Sequence, residues 1–469
     1  MTAGRTLADG PRATVIEEIV AVTTGLDCGR LPASVLAKAR LCVLDTVSAC
    51  LTIGTTPGSE AALAVLVPPR PGEGGSRVFG RPDRADMEAA AFVNAVSAAA
   101  SIRTDTHPAS ASHPGMVVIP AVLAAGEAGR VSGAAALAGI VAGYEVMIRL
   151  GLAVITPELA AIFRPTGLLG PGPAAAAAAR ALGLSRSEAV RSMALACHTA
   201  GGFNEWVHAG TNEHVYHAGF AARSALAAVR LARAGAQAAP SVLEGRSGLL
   251  AGFSALARAD LVTEGLGRRF LIEDIVHKPT PACVFAQAPI QAAARLLAEG
   301  PLDPEAVRQV EIATTQRAVL FPGCDNPGPF ADLTAVQQSI QFAVAAVLAA
   351  GGVREASWSR TDDPRVAQLA TRCRLLATEG PDQDGRQPVH LRVWLRDGTR
   401  REARVADFRS MSEDDLASRF LAAARPVLGE SRAEAALRGI LRLDAAPDIN
   451  DVTGLLAPPP SLHPSQDRP

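Results

Sequence analysis

Residues 90–129 read AAFVNAVSAAASIRTDTHPASASHPGMVVIPAVLAAGEAG. Two Ala-rich apolar runs, each continuous enough for a helix buried on all sides, enclose a loop from Ser101 to Gly115 that is dense in polar groups. His113-Pro114-Gly115 opens the second run. A helix starting there presents unpaired N–H groups and the positive end of its dipole, which favour a substrate carboxylate. A histidine at that place is suited to general acid or base work near neutral pH. A solvated loop whose polar residues merely cap the next helix has the same composition, and the local pattern leaves both readings open.

Outward from this stretch the pattern stays helical from Thr14 to about Arg233. Helices are predicted at 34–51, 58–67, 85–102, 115–128, 132–152, 166–183, 186–200 and 215–234, with Gly and Pro at their ends. The character changes after about residue 265. Val307–Thr315 alternates as a strand, and so does Val389–Leu395, which meets the hairpin turn Asp397-Gly398 and returns through 400–405. Helices are predicted between them at 284–299, 333–350 and 363–375, and again at 412–426 and 431–442. The fold class expected is mainly α: a large all-helical domain (1–265) with an inserted smaller α+β domain (266–408). Helices at 409–456 return to the first domain, and a disordered Pro-rich tail follows at 457–469.

Composition agrees and narrows the function. Hydrophobic residues are 48%, charged residues 19% and aromatics 4%, as suits close-packed Ala/Leu helices. A net charge of −1 gives no basic footprint for nucleic acid and no attraction to a membrane surface. The most apolar stretch, Ala134–Ile155, carries Glu145 and Arg149 and reads as a buried helix, not a membrane span. Seven scattered cysteines without a CxxC pair, and the lack of a secretory pattern in 1–12, point to a reducing cytoplasm. Of the 45 Lys and Arg residues only Lys38 and Lys278 are lysine, so in this Arg-biased chain each retained lysine invites a reason.

Two further polar clusters stand out. Asn204–His217 (NEWVHAGTNEHVYH) contains His208, His214 and His217, but no carboxylate set or HExxH pattern accompanies them, so no metal is expected. His277–Cys283 (HKPTPAC) places Lys278 in a stiff, Pro-shaped loop, where it can bind a carboxylate or stabilise an enolate-like charge. A surface lysine beside a Pro-rich connection fits the same residues.

These clusters, in this order, resemble the MmgE/PrpD family, which includes 2-methylcitrate dehydratase and cis-aconitate decarboxylase. The 90–129 stretch matches the family's N-terminal signature at Asn94, Asp105, Thr106 and His113. AIFRPTGLLGPGPAAAAAARALGLS (161–185) is similar to its FHPT segment and the helix after it. GTNEHVYHAGFAARSALAAVRLARAG (210–235) resembles its TK-x-x-H-x-G block, with His217 and Gly219 retained. LEGRSGLLAGF (243–253), KPTPAC (278–283) and SIQFAVAAVLAAGGV (339–353) complete the series. The resemblance implies a helical domain with an α+β lid, a homodimer, and no metal or organic cofactor. It also implies chemistry on citrate-like polycarboxylates, by proton abstraction beside a carboxyl group.

Departures fall among the polar positions. The family's LDFDDT turn is here Ser101–Thr106, with Ile102 and Thr104 at acidic places; the His before Pro-Thr is Arg164; the Lys of the TK block is His214; and a His found five places after the lysine is Cys283. The expected catalytic set is therefore His113 as base, His214 as acid on the opposite side, Lys278 for developing charge, and Asp105. Arg103, Thr106, Arg164, His217 and Cys283 are the expected substrate contacts. An isoleucine accepts no proton, so the expected activity is a retuned one. The candidates are epimerisation, isomerisation, elimination or cyclisation of a small acidic or carbonyl compound in specialised metabolism. A citrate-like dehydratase or decarboxylase, and a non-catalytic protein keeping only the fold, are the alternatives.

Overall fold

The computed structural model describes residues 13–52, 56–67, 75–253, 258–378 and 385–459. The chain is mainly α. Helices Ala33–Thr52, Met87–Ala100, Gly115–Gly129, Gly133–Val154, Pro171–Ala181 and His214–Arg233 share one hydrophobic core. Their many alanines let backbones approach closely. At Gly139 an added Cβ would lie 2.6 Å from the Ala177 carbonyl oxygen, so only glycine permits that crossing. Helix starts follow their local chemistry: Thr14 with Glu17, Ser185 with Glu188 and Ser412 with Asp415 form reciprocal capping boxes.

The four-stranded sheet lies in the second half, and a short antiparallel ladder of Ser76–Arg77 with Arg84–Ala85 interrupts the first, expected to be all-helical. Cys373–Ala377 runs parallel to Val307–Thr314, which pairs antiparallel with Val389–Leu395, and that strand pairs with Arg400–Val405. One face, with Val310, Ile312, Leu391 and Val393, is buried with helices Val284–Ala298 and Ile340–Ala350 in a second core. After Phe408 the chain rejoins the first core through Leu416, Phe420, Ala424 and Leu428 of helix Glu413–Leu428.

Several expected boundaries are corrected. The helix expected over 166–183 is two, Pro165–Leu169 and Pro171–Ala181, because Pro171 and Pro173 carry no N–H to continue the ladder. The one expected over 333–350 breaks at Ser339, whose hydroxyl caps the N–H of Phe342 at 2.8 Å. The helix expected over 363–375 ends at Ala370, and Cys373–Ala377 is a strand. Residues 460–469 of the expected tail lie outside the described residues, while 457–459 are half-buried.

The charged pair in the most apolar helix has a structural role. Gly133–Val154 is long and apolar enough to cross a membrane, but 94% of its apolar window is buried inside the protein. Within it Glu145 and Arg149 pair at 2.8 Å. Glu145 then accepts the N–H of Ile272 at 2.9 Å, and Arg149 donates to the carbonyl of Arg269 at 2.8 Å. A core helix thereby anchors the segment that leads into His277–Cys283.

Candidate active site

The Ser101–Gly115 loop is held from behind by Asp105. This fully buried carboxylate accepts the N–H of Gly115 at 3.0 Å and the Tyr144 hydroxyl at 2.5 Å. Burial and the neighbouring Asp45 raise its pKa. The N-terminus of the Gly115–Gly129 helix is thus taken by the protein's own carboxylate. This corrects the expectation that it receives a substrate carboxylate: Asp105 fills the positive end from inside the core. Glycine is required there, since a Cβ on Gly115 would come within 2.6 Å of Thr46 Oγ1, 2.7 Å of Asp105 Oδ1 and 2.8 Å of Tyr144 Oη. The loop also carries strain. Ile102 (φ 54°) and Ala111 (φ 50°) are both left-handed, a conformation that costs a β-branched residue roughly 1–3 kcal/mol. Both side chains line a cavity.

His113 is oriented through one ring nitrogen. Its Nδ1 lies 3.1 Å from the carbonyl oxygen of Asp105 and 2.9 Å from Thr106 Oγ1. A carbonyl only accepts, so Nδ1 carries the proton and Nε2 is the basic atom. Burial, then Lys278 and Arg164, hold the pKa of His113 well below its ordinary value, leaving a neutral imidazole.

Thr106 pairs with Val276 in both directions, N–H to carbonyl at 3.0 Å and 2.9 Å, which fixes the loop against His277–Cys283. Both lysines of the chain act on this segment. Lys38 donates to the carbonyl of Ile275 at 2.8 Å, and Lys278 is buried in the cavity wall. Burial pushes the Lys278 ammonium down to about 8, with Cys283 and Asp45 acting in the opposite sense. Behind it, Asp45 forms an ion pair with Arg419 and lies 3.5 Å from His277 Nδ1. Arg419 also donates to the Lys278 carbonyl at 3.1 Å. Burial pushes the Asp45 carboxyl up, but Arg419, His277 and Lys278 outweigh it and leave it ionised below its usual range.

A narrow cavity of about 40 Å³ lies between the helical core and the second core. Its polar side includes His113, Thr106, Thr104, Arg164, Lys278, Gln338 and Asn204, which accepts the Trp206 indole N–H at 3.0 Å; its apolar side includes Ile102, Met116, Trp206, Phe285 and Phe321. Arg164 Nε, Thr104 Oγ1 and Gln338 Oε1 are buried without a hydrogen-bond partner among the described residues. Buried polar atoms of this kind call for a ligand or water to complete them. Arg164 remains a cation, although burial lowers it to about 10, and its guanidinium lies 5.8 Å from the centre of the Trp206 ring.

Of the expected residues, His113, Thr106, Lys278, Arg164 and Cys283 meet on this cavity. The rest lie elsewhere. His214 is buried against Trp206, ring centres 4.3 Å apart, and does not line the cavity opposite His113; both its nitrogens lack a hydrogen-bond partner among the described residues, and burial drives its pKa well down. Arg103 is turned to an ion pair with Glu355. His217 packs beside Gly202 and Gly167, off the cavity. Asp105 supports the loop from the far side. Asn94 binds the backbone of Arg77 and Phe79 and has a structural role. The residues that sequence reasoning missed are Asp45, Arg419, Trp206, Asn204 and Gln338. Asp45 had one signal, a lone carboxylate in the apolar run 41–51.

The helical body and the sheet-bearing unit thus hold a cationic, histidine-bearing cavity between their cores. The chain belongs to the MmgE/PrpD family: the model of its N-terminal domain matches residues 17–261 and that of its C-terminal domain residues 280–445. It is 26% identical to a cis-aconitate decarboxylase of Aspergillus terreus over 95% of this chain and 96% of the relative. It is 27% identical to the cis-aconitate decarboxylase of Homo sapiens over 95% of each chain. A cis-aconitate decarboxylase-like protein of Aspergillus oryzae is 31% identical over 48% of each.

Proposed function

We propose that the chain is an acid/base enzyme of the lyase type that acts, without metal or organic cofactor, on a small carboxylate bound between His113 and Lys278. The observation that carries this reading is the commitment of His113 Nδ1 to the Asp105 carbonyl, which leaves Nε2 as a base on the cavity that Lys278 lines. Arg164 and Lys278 each hold a carboxylate oxygen of the substrate. His113 Nε2 takes the proton beside a carboxyl group, and Lys278 stabilises the enolate-like charge. The ammonium of Lys278, near 8, then returns a proton to the leaving group or to the carbanion. Loss of water, isomerisation and epimerisation pass through that stabilised carbanion and differ in its fate, whereas loss of carbon dioxide generates a carbanion directly, with no proton to abstract, and needs only the returned proton. The sheet-bearing unit acts as the lid, supplying Lys278, Phe285 and Phe321.

The lining favours a substrate less charged than a citrate-like tricarboxylate. Arg103 is engaged by Glu355, which leaves two cations on the lining, and much of the remaining wall is apolar. A dicarboxylate or an oxo acid with an apolar group, of the sort met in specialised metabolism, suits two cations beside Trp206, Met116 and Phe285. A second reading, decarboxylation of cis-aconitate itself, is favoured by the relatives that match across 95% of the chain. The test is a panel of di- and tricarboxylic acids incubated in D2O and followed by proton NMR. The proposal expects water or carbon dioxide loss, or C–H exchange, with a panel member. Inertness towards the whole panel would overturn it, and strong activity on cis-aconitate would select the second reading.

A further inference from the structure

Two thiols meet in the wall of this cavity. Cys324 donates its S–H to Cys283, sulfur to sulfur 3.7 Å. Cys283 lines the cavity, while Cys324 is fully buried behind it. Cys283 stands at the N-cap of the 15-residue helix Val284–Ala298, and its own N–H is tied to the Gln337 carbonyl at 2.8 Å. Cys324 is fixed in turn, its carbonyl accepting the N–H of Ile340 at 3.0 Å. The cations Lys278 and Arg164 share the cavity with Cys283.

We propose that Cys283 and Cys324 are a peroxide-oxidisable dithiol in the active-site wall, Cys283 reacting first and Cys324 resolving it to a disulfide. The acid–base properties divide the two sulfurs in the required sense. The hydrogen bond from Cys324, which outweighs burial, and then the Phe285 N–H, Lys278 and Arg164 lower the pKa of Cys283. Burial and the neighbouring sulfur raise that of Cys324. The other five cysteines, Cys28, Cys42, Cys50, Cys197 and Cys373, are all raised by burial and stay as inert thiols.

The step balances. The Cys283 thiolate attacks one oxygen of a hydroperoxide, the O–O bond breaks, and the displaced hydroxide takes up a proton from solvent. Cys283 is then a sulfenic acid. The Cys324 sulfur attacks it, the S–S bond forms, and the sulfenic oxygen departs as water with the Cys324 proton. Two thiols have lost two electrons, and one hydroperoxide has gained them. The sulfurs must close from 3.7 Å to about 2.05 Å, which draws the start of Val284–Ala298 toward Phe321–Cys324. Those two segments carry Phe285 and Phe321, whose rings pack 5.3 Å apart in the cavity wall. Oxidation therefore consumes the acidic thiol that shares the cavity with Lys278 and reshapes the wall.

The experiment treats the full chain with a small excess of hydrogen peroxide and counts free thiols, then maps peptides by mass spectrometry before and after dithiothreitol. This readout does not depend on which acid the cavity turns over. The expected result is loss of two of the seven thiols, a Cys283–Cys324 cross-link two hydrogens lighter than the reduced pair, and full reversal by dithiothreitol. In Cys324→Ser the reaction should stop at a Cys283 sulfenic acid that dimedone captures. Retention of all seven thiols, or preferential oxidation of any of the other five, overturns the proposal. The wild-type map decides the matter even where Cys324→Ser fails to fold.

Discussion

Thr106 and Val276 exchange both backbone hydrogen bonds, at 3.0 Å and 2.9 Å, across 170 positions of sequence (276 − 106). The bridge joins the loop of His113 to the segment that leads into Lys278. Thr106 also meets the His113 ring at 2.9 Å, and Lys278 is two residues beyond Val276. This small bridge ties together the loops that set His113 and Lys278 on the same cavity, and the proposed function rests on that geometry.

The first prediction concerns pH. In the proposed mechanism Lys278 is protonated when it stabilises charge and returns a proton, and its pKa is pushed down to about 8. Raising the pH removes that proton, so kcat/KM should fall about tenfold per unit above about pH 8. His113 titrates well below its ordinary value, so no acidic loss of the base is expected down to about pH 6. In Lys278→Arg the alkaline limb should disappear, whatever the residual rate, because a guanidinium stays charged. A wild-type profile that stays flat to about pH 10 would count against the role of Lys278.

Gly115→Ala gives a test in which two effects have opposite signs. Helix propensity alone predicts stabilisation by about 0.5–1 kcal/mol. The contacts at 2.6 to 2.8 Å with Thr46, Asp105 and Tyr144 predict destabilisation by about 1–3 kcal/mol, and they should win because all three groups are buried. The urea midpoint should fall; a midpoint unchanged or raised would show that the Asp105 cradle is not as tight as described.

For substrate class, cis-aconitate and 2-methylcitrate should be turned over poorly or not at all, because Ile102 and Thr104 offer no carboxylate to the cavity. Steady-state assays of purified protein on both acids, beside dicarboxylates with apolar substituents, measure this. Robust turnover of either tricarboxylate would reverse the substrate reading while leaving the fold and family intact.

Much of the helical half was legible in the sequence because its apolar runs, caps and Gly/Pro stops are local. Cys373–Ala377 was not, since its strand character comes from pairing with Val310–Thr314, some sixty residues away, and its own residues fit a helix equally well. At the site, the three polar clusters showed themselves as exceptions in apolar surroundings. What sequence could not show was direction. His214 and Trp206 lie eight positions apart, and only the packing of helix His214–Arg233 decides that Trp206 lines the cavity and His214 does not. The same limit hid Asp105's attachment to Gly115.

Assembly is the next expectation. Phe220 and Leu231 on helix His214–Arg233 are 57% and 52% exposed, and Phe220 packs edge-on against Phe92. We expect a homodimer joined through this helical face, as the family resemblance implies. Light scattering at micromolar concentration should return twice the 48.3 kDa chain mass, and Phe220→Asp should shift it toward the monomer. A monomer mass for the wild-type chain would refute the expectation.

The central claim is that His113 Nε2 is the base, and His113→Asn isolates it. The Asn side-chain amide can take the place of Nδ1–H and keep the bond to the Asp105 carbonyl, while the basic nitrogen is lost. The measurement is kcat for this variant against wild type, on whichever acid the panel identifies, with circular dichroism confirming the fold. The account predicts a folded protein whose kcat falls by roughly 100-fold or more with little change in KM. A folded variant that keeps near-wild-type kcat would contradict it and would make the Ser101–Gly115 loop a structural element.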